Sequence, residues 1–524
     1  MSTKKTTKKA TKKAAKKAKR TGTPLSRKGR AATTRKTSAA KPGRKSHKPA
    51  AKPAKPGKAS GNGKVSGLLR VRMYRIGFGD FFLLTVPTKT GSEHILIDCG
   101  VHAGNIGSMK ACVQDLVKET SGKLALVVAT HYHADHLSGF ASNYDDFAKF
   151  EVGAVWITNR LDPGNKDAVK FHAQITSLAN QLRLRLGARE DRDLASAQAF
   201  FKAQNALGVQ LGAAEGGNEK ALRLLTTGFK NKPPVYYYQG GDDPALPESL
   251  KGAITARLLG PSPKDSGGMF SGTDNKKEQY LAAAAEEGLP ETTSRFTPFE
   301  KEWPASAQDY PLAAFREYQT QEQMKKKQGG SPATLEAMLH AAQPDVLLAM
   351  ADALDGTLNN QSLVILFTCQ GKKLLFVGDA QWGNWSYWLY GKKVTGADPG
   401  ITEAAKEILS SIDFYKVGHH GSTNANPIPA VAAINETCAS MCSTESSDAY
   451  PKKTRPYGDP KKGTEVPRTT LMDEMEKRTK NRLVRSDWIP VGDVLASPEA
   501  KSELSKLPDN FSTGDLYIDY IFPA

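Results

Sequence analysis

Leu124-Ala125-Leu126-Val127-Val128-Ala129-Thr130, followed at once by His131-Tyr132-His133-Ala134-Asp135-His136, decides the reading of this chain. The first seven residues are a short, near-continuous apolar run, the pattern of a buried strand. The next six carry three imidazoles and a carboxylate. A strand that ends in such a cluster sets its polar side chains on a loop held by a rigid core. Imidazole nitrogen and carboxylate oxygen are donors that zinc accepts, as do other first-row ions. The stretch therefore predicts a metal site at a strand end.

Outward from it, the same plan recurs. Upstream, Leu69–Tyr74, Phe81–Val86 and Ile95–Ile97 read as strands, and the last ends in Asp98-Cys99-Gly100. A helix is expected over 107–119 and a strand over Ala154–Thr158. Downstream, Ser362–Phe367 and Lys373–Val377 read as strands, the second ending in Gly378-Asp379. A helix carrying Trp382, Trp385 and Trp388 is expected next, with the tryptophans read as a packed face. Phe414–Gly418 is a further strand, ending in His419-His420-Gly421-Ser422. Strand, polar loop and helix in repetition indicate a layered α/β architecture. Four strand ends deliver metal-type side chains: Asp98, the His131–His136 cluster, Asp379 and His419-His420.

Between about 160 and 355 the chain reads as a largely helical insertion. Val169, Ile175, Leu178 and Leu182 keep helical spacing, with strand-like pieces at 235–238 and 254–259. Its middle, 262–310, is rich in Gly, Pro, Ser and charge and reads as a mobile loop. A lid over the site is the expected job of this insertion. His102 is expected on an exposed loop, His172 and His340 on helix surfaces, and the basic stretch Lys452–Arg468 in solvent.

The net charge of the 524 residues is +19, yet it is not spread evenly. Residues 1–66 hold 23 Lys plus Arg and no Asp or Glu, which leaves the remaining chain at −4. That tail of Lys, Ala, Thr, Pro, Gly and Ser cannot bury enough apolar surface to offset its ordering entropy, so it reads as disordered. A flexible polycation binds nucleic acid by counterion release, without reading sequence. A solubilising or anionic-surface-binding tail is the alternative. The domain plan is thus a basic tail over 1–66 and a globular body over 67–524. Five cysteines without paired spacing argue against a disulfide framework. No apolar run approaches the roughly 18 residues of a membrane span, and no apolar core follows the N-terminal charge. A cytoplasmic protein is expected, with nucleoid or chromatin association through the tail.

His-x-His-x-Asp-His at 131–136, Gly378-Asp379 after a strand and a His after a later strand resemble the metallo-β-lactamase superfamily over roughly 67–160 and 356–450. Four pieces are similar to its ComEC-like branch: Gly77-Phe78-Gly79-Asp80, Asn359-Asn360-Gln361-Ser362-Leu363-Val364, Leu375-Phe376-Val377-Gly378-Asp379-Ala380 and Lys416-Val417-Gly418-His419-His420-Gly421-Ser422. Residues 8–20 resemble the basic tails of linker histones and of histone-like bacterial proteins. The superfamily resemblance implies an αβ/βα sandwich of two mixed sheets with two divalent metal ions between them, zinc first and manganese second. It implies that His131 and His133 bind one ion, Asp135 and His136 the other, and that Asp379 bridges them. His419 or His420 completes the second site; His419 is preferred, being nearer the strand end, and His420 then orients a substrate or a ligand. Asp98 is expected to hydrogen-bond the ligand loops. Many members carry one more His before the strand that precedes Gly-Asp, where this chain reads Leu358-Asn359-Asn360-Gln361-Ser362. The His131/His133 ion is therefore short of one imidazole near Asn360.

The chemistry implied is hydrolysis by a metal-activated water, with Asp135, Asp379 and His420 in the reacting centre. Phosphodiesters of DNA or RNA are the expected substrate class, from the branch resemblance and the tail. Two alternatives stay open: a small-molecule hydrolase acting on a lactone, thioester or phosphoester, and a nucleic-acid-binding protein without turnover.

Overall fold

Fourteen strands form two mixed sheets in the computed structural model, which describes residues 67–102, 108–187, 194–208, 217–263, 344–391, 400–422, 424–445, 465–489 and 502–523. The first eight strands are β1 (Arg70–Tyr74), β2 (Phe81–Thr88), β3 (Gly91–Cys99), β4 (Lys123–Ala129), β5 (Glu151–Thr158), β6 (Val235–Tyr238), β7 (Ile254–Gly260) and β8 (Val364–Cys369). The other six are β9 (Lys372–Phe376), β10 (Phe414–Lys416), β11 (Ala439–Cys442), β12 (Leu483–Arg485), β13 (Phe511–Thr513) and β14 (Tyr517–Ile521). One sheet runs β13-β14-β1-β2-β3-β4-β5-β6 and the other β12-β11-β10-β9-β8-β7.

Each sheet is antiparallel in one half and parallel in the other. In the first, β3, β4, β5 and β6 are parallel neighbours. In the second, β9, β10, β11 and β12 are. Parallel strands need both faces covered, and their sequences show it: β4 is buried from Leu124 to Ala129. Alternate side chains then go to opposite layers. Leu126 and Val128 of β4 join Trp156, Ile365, Phe367, Phe376 and Phe414 in a core between the sheets. Val127 and Ala129 face outward and pack with Leu116, Leu182, Phe200 and Leu354 from helices on that side. The outer face of the second sheet is covered likewise by Trp385, Leu409, Val431 and Leu471. Each such large apolar side chain contributes roughly 1.5–3 kcal/mol by leaving water. The chain is thus an α/β protein of two mixed sheets flanked by helices.

Local signals set the element ends. Ser108 caps the helix Met109–Thr120 by accepting from the Ala111 amide at 3.1 Å. Ser121 then leaves it with φ +52°. The span 160–355 contributes helices Lys166–Gly187, Leu194–Leu207 and Gly217–Arg223, and it also feeds both sheets. Its two strand-like pieces are β6 and β7, which lie at the sheet edges beside β5 and β8. Contacts unite the described residues in one compact unit. The basic tail, the 264–310 part of the expected loop, His340 and the stretch Lys452–Lys462 lie outside the described residues.

All five cysteines are buried and none is in a disulfide. No helix among the described residues is long and apolar enough to cross a membrane.

Candidate metal centre

The carboxyl ends of the parallel strands of both sheets open onto one place, where open α/β sheets bind ligands. β3 delivers Asp98, β4 the loop His131–His136, β9 Asp379, β10 His419 and His420, and β11 Ser443. The turn before β2 delivers Asp80. Backbone holds these loops together: the Asp80 amide donates to Asp135 O at 2.9 Å and the Gly100 amide to Asp80 O at 3.0 Å.

Three of these residues sit on left-handed backbone: Asp98 (φ +56°), His419 (φ +46°) and His420 (φ +53°). Such conformations cost of order 1–3 kcal/mol each and persist where the surroundings over-determine them. Here the return is aim. Asp98 Oδ1 accepts from the Thr130 amide at 2.8 Å, and Oδ2 accepts from Thr130 Oγ1 and His136 Nδ1, both at 2.7 Å. Thr130 Oγ1, its proton spent on Asp98, accepts from His131 Nδ1 at 3.1 Å. One carboxylate therefore fixes the tautomers of two imidazoles and leaves each Nε2 facing the centre. His420 is set in the same way: Nδ1 donates to Ser443 O at 2.8 Å, and Nε2 faces Asp135 Oδ2 at 3.3 Å and Asp379 Oδ2 at 3.5 Å.

Three donor groups result: Asp80, Asp98 and His136 form one, and two more meet at Asp135. Asp135, His136, Asp379 and His420 bring one ligand atom each into a common space, and His131, His133 and Asp135 do so beside it. Asp135 belongs to both. His136 Nε2 lies 3.0 Å from Asp379 Oδ2, and His131 Nε2 lies 3.1 Å from His133 Nδ1. Every one of these side chains is buried. Four of their atoms have no aligned hydrogen bond among the described residues: His133 Nε2, Asp135 Oδ1, His136 Nε2 and Asp379 Oδ2. Buried polar atoms left without partners cost about 1–3 kcal/mol each; three of these four, Asp135 Oδ1, His136 Nε2 and Asp379 Oδ2, belong to residues of one donor group and fit donors arranged for a cation.

Protonation follows the same geometry. Burial, with the neighbouring His136 and His133 charges, holds the His131 imidazole well below the usual range. Burial also pushes His133 down to about 4. Both are neutral at pH 7, as ligands must be. Burial alone would raise Asp135 and Asp379. The imidazoles around them, with the His420 hydrogen bond for Asp135 and Lys416 for Asp379, hold both well below the carboxylate range. His136 is burial-lowered but raised overall by Asp379, Asp98 and Asp80.

The expected residues do not all take equal places. His131, His133, Asp135, His136 and Asp379 converge, and Asp98 braces them. His420, expected to orient a substrate or a ligand, is the imidazole that joins Asp135, His136 and Asp379. His419, the preferred ligand by sequence, is slightly exposed. Its Nε2 stands 3.8 Å from Asp379 Oδ2, and its ring nitrogens meet Asn359 Nδ2 at 3.5 Å and Gln381 Nε2 at 3.4 Å. Asn360, expected near the missing imidazole, turns away: its Oδ1 accepts from the Asn384 amide at 2.9 Å. His102 is buried, where an exposed loop was expected, and its amide donates to Phe78 O at 2.7 Å. Trp385 is core, with Nε1 donating to Ala380 O at 3.0 Å, while Trp382 is half-buried against Tyr390.

Three groups that sequence reasoning gave no role complete the site. Lys416, buried, donates to Gly378 O at 2.8 Å, lies 3.3 Å from Asp379 Oδ1 and makes a close ion pair with Asp80. Asp355 Oδ1 lies 3.7 Å from His133 Nε2, and Asn359 Nδ2 donates to Asp355 Oδ2 at 3.2 Å. The signal was present as two polar residues four apart at the end of an apolar helix. The helices of the 160–223 span brace the ligand loop: Asn205 Oδ1 accepts from the Asp135 amide at 3.1 Å and Asn218 Nδ2 donates to Tyr132 O at 2.8 Å. No protein-family model matches this chain, and no curated protein is similar to it.

Proposed function

We propose that this chain is a metal-dependent hydrolase of the metallo-β-lactamase fold that cleaves phosphodiesters, DNA or RNA, in the cytoplasm. The observation that carries the reading is the buried convergence of His131, His133, Asp135, His136, Asp379 and His420, in which Asp135 Oδ1, His136 Nε2 and Asp379 Oδ2 have no aligned hydrogen bond among the described residues. His131, His133 and Asp135 would hold one divalent ion; Asp135, His136, Asp379 and His420 would hold the other. Ions so placed supply a nucleophilic water at neutral pH and neutralise charge on the reacting phosphate.

The chain's own residues do the rest. Asp98 keeps the His131 and His136 rings in the tautomer that turns Nε2 inward. Lys416 holds Asp379 by its other oxygen, so Oδ2 stays turned to the centre. His419 is the most open of the site imidazoles, at 7% exposure. It would hydrogen-bond a substrate oxygen entering from solvent by exchanging one of its amide partners, Asn359 or Gln381. Burial lowers it despite Asp379 and Asp355, so it meets the substrate as a neutral ring. Phosphodiesters are favoured over lactones and thioesters by the ComEC-like motifs and the cationic tail.

The test is hydrolysis of single- and double-stranded DNA and RNA, a phosphodiester dye and a lactone by the metal-loaded chain. Phosphodiester turnover is expected, lost on chelation. Asp379→Asn should lower it by about 10³-fold, since a metal clamp stabilises the transition state by several kcal/mol. A fully loaded chain that cleaves no phosphodiester defeats the proposal.

A further inference from the structure

A cavity of about 480 Å³ opens beside the metal centre, where β5 and β6 end. Small organic molecules occupy cavities of about 300–1,000 Å³. β4, β5 and β6 are parallel neighbours, so Asn159 and Gln239, just past β5 and β6, lie one and two strands from the ligand loop, about 4.8 Å per strand. Another wall comes from the second sheet: Pro263 follows β7, and Arg160 Nη2 donates to Ser262 O at 3.2 Å. β7 ends opposite Val364, whose neighbour Leu363 donates its amide to Thr130 O at 3.0 Å. Phe171 of the helix Lys166–Gly187 lines the cavity too, and the next residue, His172, packs edge-on against Tyr132 of the ligand loop with ring centroids 4.5 Å apart.

The lining is not that of an ion site. Asp162, Asp167 and Asp242 share it with Arg160, yet every group of donor atoms close enough to hold an ion, among the described residues, lies at the metal centre. The excess of carboxylates turns a phosphate away, so the cavity suits an uncharged part of a nucleic acid. Asn159 Nδ2 donates to Gln239 Oε1 at 2.5 Å, and Asn159 Oδ1 is buried with no partner among the described residues. The amide pair thus keeps one acceptor and one donor, Gln239 Nε2, the combination that pairs with a base edge. Phe171 and Tyr237 supply rings on which a base stacks. Asp242 Oδ2 accepts from the Gln239 amide at 2.9 Å, which leaves Oδ1 for a sugar hydroxyl. We infer that this cavity takes the unpaired nucleoside next to the reacting phosphate, and that a ribose 2′-OH bonded to Asp242 makes RNA the preferred strand. This assignment rests on the phosphodiester reading above, which it narrows to single-stranded RNA.

The experiment is titration of the full chain with adenosine, uridine and their 2′-deoxy forms, followed by saturation-transfer nuclear magnetic resonance, with circular dichroism to confirm folding. These probes carry no phosphate, so the basic tail does not hold them by counterion release. The ribonucleosides should bind about tenfold tighter than the deoxy forms, the worth of one hydrogen bond to a charged group. Tyr237→Ala should weaken all four by about five- to 150-fold, the range for loss of a stacked base. Asp242→Asn should bring the ribose and deoxyribose forms together; Asp242 is exposed, so this variant decides the matter where Tyr237→Ala does not fold. No binding by the wild type, or affinities unchanged in both folded variants, overturns the nucleoside site and leaves the phosphodiester reading standing. Equal affinity of the wild type for ribose and deoxyribose forms overturns the assignment to RNA. Nucleosides that bind as expected to a metal-loaded chain that cleaves no phosphodiester overturn the phosphodiester reading, and with it the place of the nucleoside beside a reacting phosphate.

Discussion

Asp98 shows how much of this site one residue sets. Its two oxygens take three hydrogen bonds, and the aim of the His131 and His136 rings follows from them. Its φ of +56° is what turns the carboxylate back under the β4 loop. Glu445, just past β11, shows the opposite economy. It is buried against Arg75, and burial pushes its carboxyl up to about 7 in spite of that neighbour. An acid whose folded value lies above its unfolded value binds its proton more tightly in the native state. Its contribution to stability is therefore full below the unfolded value of 4.5 and is lost as pH rises through about 7. The integrated difference is on the order of 3 kcal/mol. Glu445→Gln has no such proton to lose. Urea denaturation at pH 5 and pH 7.5 should show the wild type losing more stability than the variant over that interval. Parallel losses in the two proteins would remove Glu445 as the source. Which of His419 and His420 joins the donor group was not legible at this scale, because adjacent residues on ordinary strand backbone alternate sides. Here both have positive φ, a property fixed by tertiary contacts and not by the letters His-His.

At the scale of elements, the site exists because strand ends and one helix start are pressed together without side chains between them. Gly100 marks the tightest point. A Cβ there would lie 2.4 Å from Ala134 O, His136 N and Leu137 N, all backbone of the first turn of the helix Ala134–Ser142. That helix carries Asp135 and His136, and it cannot give way without moving them. Gly100→Ala should cost roughly 1–3 kcal/mol of stability, the usual penalty for overpacking. It should also weaken metal binding, because the added methyl displaces two donors at once. Calorimetric metal titration beside urea denaturation checks both; a variant that loses stability yet binds ions as the wild type does would show that the helix start yields without moving Asp135 and His136. The strands that carry ligands were legible, since each is a short apolar run that stops at a polar cluster, as at Val127-Val128-Ala129-Thr130-His131. The roles of β6 and β7 were not. Val235-Tyr236-Tyr237-Tyr238 reads as a strand, but nothing local says that it pairs in parallel with Val155–Thr158 across a helical crossover. Asp355 escaped for a similar reason: its partner His133 lies far away in sequence, and only the end of the Pro344–Asn359 helix brings them together.

For the whole molecule, charge is partitioned as sharply as structure. Residues 1–66 carry 23 basic residues and no acidic ones, whereas the rest of the chain is net −4. A near-neutral body with a buried, carboxylate-rich centre has no long-range pull on a polyanion, so the attraction must come from the tail if the substrate is nucleic acid. Binding through such a tail releases counterions, and log K falls linearly with log salt, by about 0.9 per phosphate neutralised on duplex DNA and about 0.7 on single strands. The tail reads no sequence, so affinity should be similar for unrelated duplexes of equal length. Deleting 1–66 should lower affinity for DNA and flatten the salt slope toward zero, while turnover of a small phosphodiester dye by the metal centre stays as it was. Fluorescence anisotropy at a series of salt concentrations, beside dye hydrolysis by the same preparation, separates the two. A truncated chain that keeps the full-length salt slope would move the nucleic-acid contact onto the body, and dye turnover that falls with the tail would tie the tail to the centre itself. Retained dye hydrolysis with lost DNA affinity is the outcome that the separation of charge from chemistry along this sequence requires.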